Sequence, residues 1–102
     1  MYKLVVTELA NQDLDQIVSY IAVELVNQKA AGDFLDEVWQ CYAHLKDNPL
    51  MYAKCDHERL ASDGYRKAII KNYVLIYIVD EDSKTVRILR FFYGARDYGK
   101  LI

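Results

Sequence analysis

Proline and cysteine are rare in this chain, and it contains no long apolar run. One proline and four glycines among 102 residues argue against a low-complexity chain, and the composition is that of a globular protein. The two cysteines, Cys41 and Cys55, are too few for a disulfide framework. No apolar run approaches the roughly 20 residues that a membrane-spanning helix needs. The chain is therefore expected to make no contact with a membrane.

The N-terminal segment "MYKLVVTELANQDL" has neither the longer apolar region nor the small-residue cleavage site of a secretory signal. Together with the unpaired cysteines, this predicts a cytoplasmic protein with reduced thiols. The length predicts a single domain over residues 1–102. Tyrosine occurs nine times against three phenylalanines, which suits half-buried surfaces because the ring packs while the hydroxyl stays polar.

The net charge of −2 conceals an uneven distribution. Residues 1–63 carry 5 Lys/Arg against 11 Asp/Glu, whereas residues 64–102 carry 8 against 4. A basic C-terminal part on an acidic body suggests a local anionic partner, either nucleic acid or an acidic protein segment. The alternative is that charge simply varies along the chain.

Two amphipathic helices are predicted in the first half of the chain. The β-prone run Tyr2–Val6 comes first, and Thr7 can cap the first helix because its hydroxyl can accept a backbone N–H. The second helix is predicted from about Gln28 to Lys46, and Asn48-Pro49 ends it. The apolar stripe of the first helix is Leu14, Ile17, Val18, Ile21 and Leu25. The buried face of the second helix is Ala31, Phe34, Leu35, Val38, Cys41, Tyr42 and Leu45.

Three β-strands are predicted in the second half, after an aperiodic connection over Leu50–Gly64. They read "YRKAII", "YVLIYIVD" and "TVRILRFFY". The two-residue link "KN" predicts a hairpin between the first two, and "EDSK" is a polar turn. The order β-α-α-β-β-β predicts an α+β fold, with a helical hairpin packed on one face of a mostly antiparallel four-stranded sheet. The other face of the sheet is expected to be available.

The last strand leads into the candidate functional residues. Its alternation puts Val86, Ile88, Arg90 and Phe92 on one side and Arg87, Leu89, Phe91 and Tyr93 on the other. Gly94 then permits backbone angles that redirect the chain. Basic and aromatic side chains around this point can hold phosphates, stack bases or clamp acidic side chains. The predicted target-binding residues are Arg66, Arg90, Tyr93, Arg96 and Tyr98.

A structural role for the same residues is the alternative. In that interpretation Arg90 pairs with a helix carboxylate and the tyrosines pack at the rim, and composition alone favours it. Metal binding is not expected either, because Cys55, His57 and Glu58 have no second Cys/His pair to complete a zinc site. No nucleophile-elbow serine and no phosphate-binding glycine loop is present, so no metal, cofactor or catalytic residue is assigned.

Four segments follow one another in a specific order: "YKLVVTELANQDLDQIVSYI", the "NP" after the second helix, "GYRKAIIKNYVLIYIV" and "VRILRFFYGARD". Together they resemble the RelE/ParE superfamily of type II toxin–antitoxin toxins, over nearly the whole chain. The last segment is similar to the "ILR-x-x-H-G-x-R-D" ending of the ParE-like (plasmid stabilisation) branch. Tyr93 stands where that pattern often has histidine.

The resemblance implies a small bacterial growth inhibitor and a cognate antitoxin that wraps an extended or helical segment around it. ParE-like members are known for inhibiting DNA gyrase, whereas RelE-like members cut messenger RNA in the ribosome. The ribonuclease branch usually has an arginine in its "Y-R-L-x-Y" strand. This chain reads "YVLIY", and Val74 can neither donate a hydrogen bond nor carry charge. A pI of about 5.6 also suits ribosomal RNA poorly.

These departures favour a toxin that acts on gyrase without catalysis. One alternative is a metal-independent endoribonuclease that acts on messenger RNA in the ribosome, and another is a degenerate member that only binds its antitoxin. Alanine at Arg90 or Arg96 is expected to abolish toxicity without unfolding the protein.

Overall fold

The computed structural model describes residues 1–94 and 98–100, and in it one strand is followed by the α-helices and then by three more strands. Thr7 separates the first strand from the first helix, and its hydroxyl accepts the N–H of Ala10 at 3.1 Å, so the predicted cap is confirmed. The elements are β1 (Lys3–Val6), α1 (Glu8–Ser19), a π-helical turn (Tyr20–Glu24), α2 (Gln28–Asp47), α3 (Glu58–Ser62), β2 (Arg66–Ile70), β3 (Tyr73–Asp80), β4 (Thr85–Tyr93) and a 3₁₀ turn (Tyr98–Lys100).

The four strands form one sheet in the order β1-β4-β3-β2. β1 lies parallel to β4, while β4, β3 and β2 are antiparallel to their neighbours. The helical hairpin of α1 and α2 packs on one face of this sheet. The predicted α+β fold with a mostly antiparallel sheet is therefore confirmed.

The main core lies between the helical hairpin and the sheet. Its fully buried members include Phe34 and Leu45 from α2 and Tyr77 from β3. The hydroxyl of Tyr77 donates to the carbonyl of Pro49 at 2.7 Å, which ties the end of α2 to the centre of the sheet. Leu25 was expected on the buried stripe of the first helix, but it is 55% exposed because the helix changes to a π-helical turn before reaching it.

A β-bulge between β3 and β4 changes which face the end of β4 presents. Ile76 pairs with Arg90 and Tyr77 pairs with Ile88, so Leu89 is the extra residue. Beyond it the predicted alternation is wrong. Phe91 joins Val86 and Ile88 in the main core, whereas Phe92 lies on the opposite face.

The sequence predicted that the face of the sheet opposite the helices would be free, but part of this face is covered. A second, smaller core covers part of it: Cys55, Leu60, Val74, Ile76 and Phe92. The connection over residues 50–64 supplies Cys55 and Leu60, and it includes the short helix α3. The alternating pattern misses this layer because the covering connection is mostly irregular, and its five-residue helix is too short to show an apolar stripe of its own.

Candidate target-binding surface

Arg90 is held in an ion pair with a carboxylate of α1. Its Nε and Nη2 donate to Asp13 at 2.7 and 3.1 Å, and the guanidinium lies 4.7 Å from the ring centre of Phe92. Side-chain exposure is 26% for Arg90 and 14% for Asp13, so the pair is largely shielded from water. The hydrogen bonds to Asp13 raise the pKa of the guanidinium. The sequence left open the alternative that Arg90 pairs with a helix carboxylate, and the structure has this ion pair.

Arg66 lies apart from the other candidate residues. Its Nη1 donates to the carbonyl of Tyr52 at 2.7 Å, and it shares the helix-facing side of β2 with Ala68. It pairs with Tyr77 across the sheet, whereas Tyr93 pairs with Tyr73. These two partners, Tyr77 and Tyr73, are four residues apart along β3, which is about 13 Å at the usual rise of a strand. The structure therefore does not bring Arg66 together with Tyr93.

Tyr93 and Tyr98 do come together, at the end of the sheet. Both line a groove of about 350 Å³ that also contains Lys67 and Lys71. Tyr98 stacks on Phe92 with ring centres 5.9 Å apart and planes 7° apart, which places it over the second core. Arg96 lies outside the described residues, so its predicted position in this surface stays a prediction.

Lys67 supplies positive charge to this groove, and the sequence analysis did not single it out. Its ammonium group forms an ion pair with Asp56, and the hydrogen bond to that carboxylate raises the pKa of Lys67. Burial raises the pKa of Tyr98, and the nearby Lys67 partly opposes that shift. The period-two pattern of β2 could have revealed this residue, because it puts Lys67 and Ile69 on the face away from the helices.

A second groove, of about 420 Å³, lies next to the first and shares part of its lining. Lys71, Asn72, Tyr73 and Tyr93 line both grooves. The rings of Tyr73 and Tyr93 meet edge to face with centres 5.9 Å apart, and this aromatic pair separates the two spaces. Ile21 and Phe34 contribute apolar surface to the second groove.

The basic groups near the two grooves already have acidic partners. Lys71 lies 3.4 Å from Glu37, as Lys67 pairs with Asp56 and Arg90 with Asp13. Within residues 1–94 and 98–100, no group of three or more His, Cys, Asp or Glu side chains could hold a metal ion. The described surface offers aromatic rings and paired charges, which suits binding of a macromolecule.

The sequence matches the family model described as the ParE toxin of the type II toxin–antitoxin system parDE, over residues 4–98. The chain is a member of the ParE toxin family. It is thus a toxin of a type II toxin–antitoxin system. No curated protein matches the chain by sequence.

Solved structures show the same fold. The chromosomal ParDE system of P. aeruginosa aligns with a TM-score of 0.71 at 22% identity, covering 91% of this chain and 96% of that one. The RelBE2 toxin–antitoxin complex of Mycobacterium tuberculosis aligns with a TM-score of 0.55 at 27% identity, covering 90% and 96%. The intact RelBE complex of E. coli aligns with a TM-score of 0.63 at 14% identity, covering 94% and 100%. In the described part of this ParE-family chain, no helix is long and apolar enough to cross a membrane.

Proposed function

We propose that this ParE-family toxin arrests growth by binding DNA gyrase without catalysis, and that a cognate antitoxin neutralises it. The observation that carries the proposal is the position of Val74. This residue is 6% exposed and packs with Ile76 and Phe92 in the second core. It occupies the strand position at which the ribonuclease branch of the superfamily usually has an arginine.

Ribonuclease chemistry without a metal needs side chains that activate the 2′-hydroxyl and stabilise the developing charge on phosphorus. A buried valine supplies neither. The guanidinium of Arg90 is engaged by Asp13, and the ammonium group of Lys67 is engaged by Asp56. Cleaving RNA with these groups would first require breaking ion pairs that the fold has built, which favours a toxin that acts by binding.

The surface proposed to contact gyrase is the groove beside Tyr93 and Tyr98. Aromatic side chains with polar tips are the residue type that dominates the energetics of protein interfaces. Tyr93 is 54% exposed and so is available to a partner. We include Arg96 in this surface from the sequence pattern. Arg90 and Arg66 are held by Asp13 and by the carbonyl of Tyr52, and neither lines this groove.

The antitoxin is proposed as the second partner. The solved structures that resemble this chain are themselves toxin–antitoxin complexes. The chain also exposes neighbouring apolar side chains where the π-helical turn meets α2, namely Val23, Leu25 and Val26, and contiguous apolar surface is seldom left uncovered in a soluble protein.

Pulse labelling of DNA and protein synthesis immediately after induction of the chain tests this function in bacterial cells. An early fall in DNA synthesis, together with inhibition of supercoiling by purified gyrase, is expected. An early fall in protein synthesis with codon-phased cuts in messenger RNA would instead establish a ribonuclease. Normal growth with normal labelling would refute growth arrest and favour a degenerate member that only binds its antitoxin.

A further inference from the structure

The first strand, β1, has an open edge. In the described sheet it lies at one end of the strand order and pairs with β4 alone. The N–H groups of Lys3 and Thr7 point to the β4 side, where they donate at 2.8 and 3.0 Å. Because alternate residues of a strand direct their backbone groups to alternate edges, Leu4 and Val6 direct theirs outward. An edge of this kind is a template for another strand.

An apolar groove of about 400 Å³ runs along this edge, between β1 and α2. Leu4 and Val6 line it from the strand, and Trp39 and Ala43 line it from the helix. Trp39 is 58% exposed, and Ala43 beside it is exposed as well. Tryptophan is among the residues most enriched at the energetic centres of protein interfaces. The open edge of β1 and the groove therefore form one continuous surface that suits a protein partner.

The outer flank of α2 is complementary to itself. Four exposed residues follow one another at spacings of three, four and three, which puts them on one side of the helix: Asp36, Trp39, Ala43 and Lys46. The inner two lie equally far from Cys41 along the chain, and so do the outer two. When two copies of α2 lie antiparallel and level at Cys41, Trp39 meets Ala43 of the second copy. The same arrangement sets Asp36 against Lys46 of the second copy, which gives the two helices complementary charge.

β1 has the same kind of symmetry about Val5. In an antiparallel pair of two β1 strands centred on Val5, Leu4 faces Val6 of the second copy. These are the residues whose backbone groups point outward, so they can exchange N–H···O hydrogen bonds across the pair. Lys3 faces Thr7 of the second copy, and no like charges oppose each other. The edge of β1 can therefore pair with a second copy of itself.

A single twofold axis passes close to both centres. The N–H of Tyr2 donates to the carbonyl of Lys46 at 2.8 Å, so strand and helix are level at that point. From there Val5 is about 10 Å along β1, and Cys41 is about 8 Å along α2. One twofold operation can thus pair the strands and the helices together, as a symmetric dimer interface requires.

We propose that two copies of this chain associate through the open edge of β1 and the outer flank of α2. The two sheets join into one, and the helices of both copies lie on the same face, because Leu4 and Val6 point toward the helical core in each. The pairing does not depend on which target the toxin binds. β2 and β3 line much of the groove beside Tyr93 and Tyr98, toward the opposite edge of the sheet from β1, so the dimer leaves this groove accessible in both copies.

Sedimentation velocity of the purified chain over a range of concentrations measures the association. A dimer with a micromolar dissociation constant is expected. Trp39→Ser should raise that constant about tenfold or more, because it removes the apolar centre of the interface. Val23→Ser is the matched control, since it changes an exposed apolar residue at the tip of the helical hairpin, and it should have no effect. A chain that is still a monomer at about 100 μM, or a dimer that Trp39→Ser leaves unchanged, overturns the proposal.

An exchange of charges tests the twofold arrangement. Asp36→Lys places like charges opposite each other at both ends of the helix pair and should weaken the dimer about tenfold. The double variant Asp36→Lys, Lys46→Asp restores opposite charges and should return the dissociation constant to within about threefold of the wild type. Both side chains are exposed, so the fold should be retained, and circular dichroism checks this. Failure of the second substitution to rescue the first overturns the antiparallel pairing of α2.

Discussion

The carboxylate of Asp13 accepts two hydrogen bonds from Arg90 and a third, at 3.0 Å, from the backbone N–H of Phe91. These contacts satisfy backbone groups of β4 at the edge of the sheet. β1 stops pairing with β4 at Ile88, so the rest of β4 has an uncovered edge. The cap and the first half of α1 cover this edge: the hydroxyl of Thr7 donates to the carbonyl of Leu89, and Asp13 accepts the N–H of Phe91.

The first prediction concerns this ion pair. Arg90→Ala should lower the free energy of unfolding by about 1–3 kcal/mol, because it leaves a shielded carboxylate without its cation. Asp13→Ala should cost more than Arg90→Ala, since it also removes the partner of the Phe91 N–H. Urea unfolding followed by circular dichroism measures both. Arg87→Ala, an exposed arginine on the same strand, is the matched control and should change stability by less than about 0.5 kcal/mol.

The lower stability expected of Arg90→Ala affects the interpretation of a toxicity assay on that variant. The sequence predicts that alanine at Arg90 abolishes toxicity without unfolding the protein. The ion pair adds that the variant is also less stable, so toxicity should be compared at matched levels of folded protein. If Arg90→Ala unfolds at the same urea concentration as the wild type, the structural importance of the pair is refuted.

The sequence predicted the order and approximate bounds of the main elements, because those depend on local periodicity, capping and turn chemistry. It could not predict that Asp13 meets Arg90, since the two are 77 residues apart and depend on how α1 crosses the edge of β4. It also could not predict the bulge at Leu89, because one extra residue in a strand leaves no mark in an apolar sequence. The face assigned to Phe92 was wrong for that reason.

The second prediction uses two buried tyrosines that differ in one bond. The hydroxyl of Tyr42 is buried without a hydrogen-bond partner among the described residues, whereas that of Tyr77 donates to Pro49. Tyr77→Phe should lower the free energy of unfolding by about 1–2 kcal/mol, because the buried carbonyl of Pro49 loses its donor. Tyr42→Phe should raise it by about 1 kcal/mol, because it removes an unsatisfied buried group. Equal destabilisation by both substitutions would show that the Tyr42 hydroxyl has a stabilising bond.

The third prediction is a loss of stability at alkaline pH. Burial raises the pKa of Tyr52 to about 12, and burial also raises the pKa values of Tyr42 and Tyr77. An unfolded tyrosine titrates near pH 10, so above that pH the unfolded chain loses protons that the folded chain retains. The contribution of these protonated tyrosines to the free energy of unfolding is therefore complete below about pH 10, and it declines as the pH rises toward 12. Urea midpoints between pH 8 and 11.5 measure it.

A matched variant assigns part of that decline. Tyr52→Phe should have a shallower loss of stability between pH 10 and 11.5 than the wild type, whatever its stability at pH 8, because one titrating phenol is gone. A decline of the same slope in the variant would mean that Tyr52 does not contribute.

The candidate surface was harder to predict than the fold. Tyr93 and Tyr98 were selected from the composition of the last segment, and the structure does place them along one groove. The second core escaped prediction because Cys55 and Leu60 come from a connection without periodicity. The sequence showed only that Val74 replaces an arginine. Its packing role could not be predicted, because it depends on the second core.

The fourth prediction concerns Gly99, which brings the end of the described chain against α3. A Cβ at this position would collide with the imidazole of His57, and the carbonyl of Gly99 accepts a hydrogen bond from Arg59 at 2.7 Å. Gly99→Ala should push this segment off the second core and loosen the stacking of Tyr98 on Phe92. Chymotrypsin should then cleave after Tyr98 about tenfold faster, because local opening becomes easier. Mass spectrometry of the products identifies the site. The double variant His57→Ala, Gly99→Ala removes the obstructing ring and should restore slow cleavage. Slow cleavage in the single variant would mean that His57 turns aside at no cost, and that glycine is not required for this contact.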